Sequence, residues 1–415
     1  MPPTGRRFER AELATLFFLN AAAMGMWIVP FGNVLKAHGY EGLIAYCYAC
    51  AGVAAFISPM IVGALADQRI PPARLLRWLG CGAAFFLALA SYGIDCRWSP
   101  AAVLATVQVH AIFYAPIFGL ATSYVLARLD DPQKQFGPVR AWATVGWMIA
   151  GILVSWGLHA DISTRSGYVA SFIWFLGAMF TFALPEVAPS DVIPRRGWRD
   201  VLGLEALELF TNRDHRMVFI TAALFTMPMT AFYPYTPIHL REAGIEHATG
   251  VMALGQVSEI VTMFCLGGLF ARVRLKWVFL GGIGFGIVRY ALFALDARLW
   301  LLVGISLHGF AFTLFFVTAQ IYLEQRIPSR MRARGQALLS VMTGGFGNFF
   351  GYLGSGWWKN ANTSGPLTQW PSYWLGMAFA MGLVFALFAI IYRGQPGGAL
   401  PSGRGDVTEK AVAGN

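Results

Sequence analysis

Apolar residues in this chain do not alternate with polar ones; they come in long, nearly unbroken runs. A helix needs about 20 such residues to cross a hydrocarbon layer about 30 Å thick at about 1.5 Å per residue. Runs of that kind fall at 11–34, 43–66, 75–95, 99–128, 138–160 and 167–185, and resume at 217–240, 249–271, 276–295, 299–323, 335–357 and 372–392. Charged or proline-rich turns separate them, such as Gln68-Arg69-Ile70-Pro71-Pro72, Asp130-Asp131-Pro132 and Ile327-Pro328-Ser329-Arg330. The pattern predicts an all-α membrane protein with twelve transmembrane helices in two sets of six. Residues 1–185 form the first set, 186–216 a linker, 217–393 the second set and 394–415 a disordered tail. Within the linker, Leu202, Leu204, Leu207, Leu209 and Phe210 form an apolar stripe, which predicts an amphipathic helix at the membrane surface.

Composition agrees. Of 415 residues, 57% are hydrophobic and only 13% charged, against about 25% charged in an ordinary soluble domain. The net charge of +10 changes the picture only when its position is read. Of 31 Lys and Arg, 23 lie on the side of the termini, six on the other side, and two (Arg140 and Arg289) within spans. By the positive-inside rule both termini are cytoplasmic. Basic residues scattered over short loops at one membrane face exclude a nucleic-acid partner. The first run has basic residues ahead of it and Ala21-Ala22-Ala23 within it, as a signal peptide would. It continues through Trp27, Ile28 and Phe31, so it reads as a retained span. Cys47-x-x-Cys50 lies inside a span with no second pair, which predicts neither metal nor redox chemistry. No phosphate-binding Gly-rich Lys loop is present.

Several motifs carry a resemblance. Gly63-Ala64-Leu65-Ala66-Asp67-Gln68-Arg69 follows span 2. Phe113-Tyr114-Ala115-Pro116-Ile117-Phe118-Gly119-Leu120 lies in span 4, and Pro138-Val139-Arg140-Ala141-Trp142-Ala143-Thr144-Val145-Gly146 opens span 5. The linker holds Leu202-Gly203-Leu204-Glu205-Ala206-Leu207-Glu208-Leu209-Phe210, and span 8 holds Gln256-Val257-Ser258-Glu259. Span 9 closes on Arg289-Tyr290-Ala291-Leu292-Phe293-Ala294, and Arg332-Ala333-Arg334-Gly335-Gln336 leads into the glycine-rich span 11. In this order, from about Phe17 to about Gly356, they resemble the bacterial nucleoside:proton symporters of the major facilitator superfamily. The resemblance implies two pseudo-symmetric six-helix bundles that alternate access to a midplane site. It implies proton-coupled nucleoside uptake, with no cofactor beyond the proton gradient, by a monomer in the lipid bilayer of a bacterial inner (plasma) membrane. The alternative is a proton-coupled symporter for a sugar or another glycoside. A membrane enzyme would need a catalytic constellation, and none is visible in the sequence.

An ionisable group at the centre of a membrane helix costs about 2.5–3.5 kcal/mol, so such groups are candidate functional residues. Glu259, with Gln256 one turn earlier, is the candidate acid for proton coupling or for a substrate hydroxyl. Arg140, Thr144 and Trp147 share one face of span 5. Arg289 lies within span 9, where a structural and a transport role are both open. A nucleoside needs an aromatic platform and amides or acids for its hydroxyls. Trp27, Phe31, Asn33, Tyr233, Tyr235 and Asn348 are candidates for these. His110 and His308 sit in apolar runs, where a satisfied buried histidine competes with a proton relay. Asp67, Arg69 and Arg74 form the candidate conformational latch. Two departures from the family pattern stand out: Thr313 where the resembled symporters carry an acid, and Pro228 and Ala231 where they carry amides.

Overall fold

The computed structural model describes residues 5–67, 70–186, 204–327, 331–365 and 367–394. Among them, ten helical stretches are long and apolar enough to cross a membrane. They are Glu9–Ala37 (span 1), Glu41–Ser58 (span 2), Pro72–Asp95 (span 3), Pro100–Arg128 (span 4) and Gln135–Gly157 (span 5). After the linker come Arg213–Glu242 (span 7), Ala248–Arg272 (span 8), Leu275–Phe293 (span 9), Arg298–Arg326 (span 10) and Trp370–Ile391 (span 12). The remaining two of the twelve are shorter or less apolar. Span 6 is the 16-residue helix Arg165–Phe180. Span 11 runs through Arg332–Ser340, Val341–Gly347 and Asn348–Ala361, where glycines and Asn348 dilute the apolar residues. A two-residue antiparallel hairpin, Thr363–Ser364 with Leu367–Thr368, joins spans 11 and 12.

Local chemistry sets the helix ends. Pro72 and Pro100 stand in first turns, where a missing N–H costs nothing, and the Ser99 side chain accepts from the Ala102 N–H. The Asn212 side chain caps span 7 by accepting from the backbone N–H groups of Asp214 and His215. In spans 1, 4 and 7 the interruptions fall where prolines remove a backbone donor: at Pro30, at Pro116 and just after Pro228. Spans 10 and 11 each contain a π-helical turn, Thr313–Val317 and Val341–Gly347, the kind of widened turn that often marks a functional site.

Of the linker stripe, Leu202 lies outside the described residues. Leu204–Thr211 is a 3-10 stretch packed on the second bundle: Leu209 is buried, and Phe210 stacks on Phe219 at 5.5 Å. Asp67 ends the helix Ile44–Asp67; its side chain and Arg69 lie outside the described residues. Arg74 pairs with Glu186 at 3.4 Å. That contact joins span 3 to the segment that follows span 6, within the first bundle.

The bundles close on each other at the end away from the termini. The Asp161 carboxylate accepts from Ser155 Oγ at 3.0 Å and, across the bundle interface, from the Thr249 N–H at 2.7 Å. Ser155 Oγ in turn accepts from the Gly250 N–H at 2.8 Å. A carboxylate at the first turn of span 8 also meets the positive end of the helix dipole. Nearby, Lys36 bridges to Glu242 and Lys359 to Glu41, each at 2.5 Å, and Trp370 Nε1 donates to Glu242 at 2.6 Å. Gly32 lets span 1 pass against the Pro234 carbonyl, where a Cβ would collide.

Candidate functional site

Below this seal, between the bundles, lies a cavity of about 470 Å³. That is the size range of small-molecule sites, which run from about 300 to 1,000 Å³. The first bundle supplies Ala21 and Met24 of span 1, Phe118 of span 4, and Arg140, Ala143, Thr144 and Trp147 of span 5. From the second come Thr226, Met229, Thr230 and Tyr233 of span 7 and Gln256 and Glu259 of span 8. His308, Phe312, Phe316 and Gln320 of span 10 and Thr343, Gly344, Asn348 and Tyr352 of span 11 complete the lining.

Close helix crossings place these side chains. Gly146 sits on the Phe18 carbonyl and Gly25 on the Trp147 backbone. Spans 1 and 5 therefore approach as only small residues allow, and the Arg140–Thr144–Trp147 face turns toward the cavity. On the other side, Gly309 of span 10 lies directly on the backbone of Glu259, and Ser258 Oγ accepts from the Gly309 N–H at 3.0 Å. This contact fixes the height and rotation of Glu259.

Among the described residues, the cavity lining holds one charge from each bundle. The Arg140 guanidinium lies over the Phe118 ring, 5.3 Å from its centroid. Arg140 and Glu259 act on each other electrostatically, with no direct ion pair between them in this conformation. Aromatic rings from both bundles bound the space. Trp147 faces Tyr233 at 5.6 Å, and Tyr233 packs edge-on against His308 at 5.8 Å. Gln256 lies beside Tyr233, and Asn348 supplies an amide from span 11. The set offers an aromatic platform, two amides, an acid and a guanidinium.

Of the predicted residues, the structure brings together Glu259, Gln256, Arg140, Thr144, Trp147, Tyr233, His308 and Asn348. Seven others lie off the cavity. Trp27 and Phe31 sit on the Met24 side of span 1, one and two turns nearer the seal, and pack at 5.0 Å on each other. Thr313 is fully buried, its hydroxyl without a partner among the described residues; it starts the π-helical turn between the lining residues Phe312 and Phe316. Arg289 is fully buried behind His308, held between the rings of Phe232 and Tyr290 at 4.6 and 4.4 Å. Asn33 donates to the Pro237 carbonyl at 3.2 Å as part of the seal, and Tyr235 packs on Tyr373. His110 is a buried structural residue, with Nδ1 2.8 Å from the Ala83 carbonyl.

Thr226, Thr230, Gln320, Thr343 and Tyr352 were not among the predicted site residues. Phe312, Phe316 and Gln320 recur every four residues, and so do Thr226 and Thr230. That signal marks one helix face without saying which way it points.

Two bundles of transmembrane helices, sealed at one end with a cavity between them, define a secondary transporter of the major facilitator fold. Solved structures share it: nucleoside transporter NupG superposes with a TM-score of 0.81 at 23% identity, covering 93% of this chain and 99% of that one. A mutant form of the same transporter reaches 0.84 at 24% identity, covering 93% and 100%. In sequence, YegT of Escherichia coli (strain K12) is 29% identical over 404 residues, 92% of this chain and 93% of that protein. Xanthosine permease of the same organism is 25% identical over 411 residues, 93% and 96% of the two. The family model described as "Nucleoside H+ symporter" matches residues 9–396, and the chain belongs to that family. It is a multi-pass membrane transporter and not an enzyme.

Proposed function

We propose that the protein takes up nucleosides together with protons by alternating access, with the cavity as substrate site and Glu259 as the coupling acid. The observation that carries this reading is the pairing of Glu259 and Arg140 on opposite walls of one cavity, without direct contact. A proton or a substrate hydroxyl on Glu259 changes the charge balance between the bundles, which biases the two-state rocking motion. Trp147 and Tyr233 serve as base platforms, and Gln256, Asn348 and Thr144 serve the hydrogen-bonding edges of base and ribose. The basic end is cytoplasmic, in a bacterial inner membrane, so the seal closes the outer side and this conformation faces inward. The transporter acts as a monomer and needs no cofactor beyond the proton gradient.

The test is uptake of labelled uridine and adenosine into proteoliposomes with and without an inside-alkaline pH gradient. Accumulation that collapses with the gradient supports the reading. Absence of nucleoside uptake by folded protein overturns it, and sugars and glycosides become the substrates to screen.

A further inference from the structure

His308 and Arg289 form a pair that the coupling reading leaves unused. Arg289 Nη1 lies 2.6 Å from His308 Nδ1, and both side chains are buried. A guanidinium has only N–H groups to offer, so Arg289 donates and Nδ1 accepts. A neutral imidazole with Nδ1 as acceptor carries its proton on Nε2. The Nε2 atom has no hydrogen-bond partner among the described residues, while the residue lines the cavity. The ring itself is clamped: it stacks on Phe232 at 4.2 Å and 10°, and its Cβ meets Gly255 closely. Arg289 is fixed in turn by Met229 Sδ at 3.1 Å and by the two rings that enclose it. No carboxylate pairs with Arg289 among the described residues, so a salt bridge does not account for its burial.

We propose that Arg289 is a positioning residue that sets the tautomer of His308, so that His308 presents a permanent Nε2–H donor to an acceptor atom of the nucleoside. The proposal rests on the nucleoside reading above. It makes His308 a specificity-determining group and excludes it as a proton relay, because a second proton on Nδ1 would displace the Arg289 donor. An acceptor on the substrate is matched by this donor; an analogue with C–H at that atom leaves the donor unpaired.

Binding is measured with adenosine or uridine, whichever the wild type binds, and with its deaza and deoxy analogues, on wild type, His308→Phe and Arg289→Met. One analogue, lacking the matched acceptor, should bind wild type about tenfold more weakly than the parent. His308→Phe should bind the parent about tenfold more weakly and no longer distinguish the two compounds. Arg289→Met should behave likewise. A merely structural role would weaken parent and analogue equally, and that result overturns the proposal. So does a loss of proton coupling with intact exchange in His308→Phe, which would make the histidine a relay. Should Arg289→Met fail to fold, nitrogen-15 spectra of histidine-labelled wild type decide, with His308→Phe assigning the signal. The Nε2–H form is expected and the Nδ1–H form refutes the idea. If wild type binds no nucleoside at all, the functional reading fails rather than this inference.

Discussion

The two charged regions at the bundle interface are built on opposite plans. At the sealed end, Lys36, Glu41, Glu242 and Lys359 form cross-bundle pairs at 2.5 Å, and Asp161 is satisfied by one hydroxyl and one backbone N–H. In the cavity, Arg140 and Glu259 face each other without touching. Matched charges hold a surface closed; separated charges in a low-dielectric space wait for a proton or a ligand to complete them. The same interface thus combines a closed end whose groups are satisfied with a cavity whose groups are not; on the proposed mechanism the second must be able to release the first.

Removing the cavity acid should have the largest effect. One proton per solute and a one-unit pH gradient supply about 1.4 kcal/mol, enough for about tenfold accumulation. In Glu259→Gln the accumulation ratio should fall to about one while solute exchange persists; a mutant that still concentrates solute with the gradient would remove Glu259 from the coupling step. Next comes the crossing that positions the acid. Gly309→Val drives a side chain into the Glu259 backbone and should lower transport about as far as Glu259→Gln, with a loss of thermal stability that Glu259→Gln does not show. Retention of wild-type transport by Gly309→Val would show that the position of Glu259 is not fixed there.

Breaking the seal should cost less and act differently. Asp161→Ala strips the acceptor from the buried Thr249 N–H, a penalty of about 1–3 kcal/mol against the sealed state. Spin-label distances across the sealed end should shift toward the open form, with solute affinity in the cavity nearly unchanged; an unaltered distance distribution would mean that the seal does not depend on this cap. The smallest effect is expected at Lys36, whose partner Glu242 is also partly exposed. Lys36→Gln should move the same distances by less than about 1 kcal/mol of bias, and added salt should mimic it in wild type. A shift as large as that of Asp161→Ala would reverse this ranking.

The comparison also marks where sequence reading stops. Runs of about 20 apolar residues can be satisfied only by membrane helices, because an unpaired backbone group in lipid costs several kcal/mol. The number of spans and their two sets of six therefore follow from the one-dimensional pattern. Glu259 and Arg140 were legible for the same reason, since an ionisable residue within such a run needs a reason to be there. The seal was not legible. Lys36, Glu41 and Glu242 look like ordinary loop charges, and the partners Asp161 and Thr249 are 88 residues apart. Nor could the sequence tell Trp27 and Phe31 from Trp147 and Tyr233, because aromatic residues are 15% of the chain.

What the sequence determined by itself is the solvent this protein lives in, the count of its helices and the presence of rare charges inside them. These rest on local thermodynamics, the transfer of each residue between water and lipid. What only the tertiary structure decided is which faces meet. Gly25, Gly146 and Gly309 set helix crossings that turn Arg140 and Glu259 into one cavity. The π-helical turn that begins at Thr313 buries that side chain between cavity-lining neighbours, and Arg289 reaches His308 from 19 residues away. Rotation about a helix axis by a fraction of a turn makes each of these choices. Packing between helices fixes that rotation, and hydropathy along a single helix does not record it.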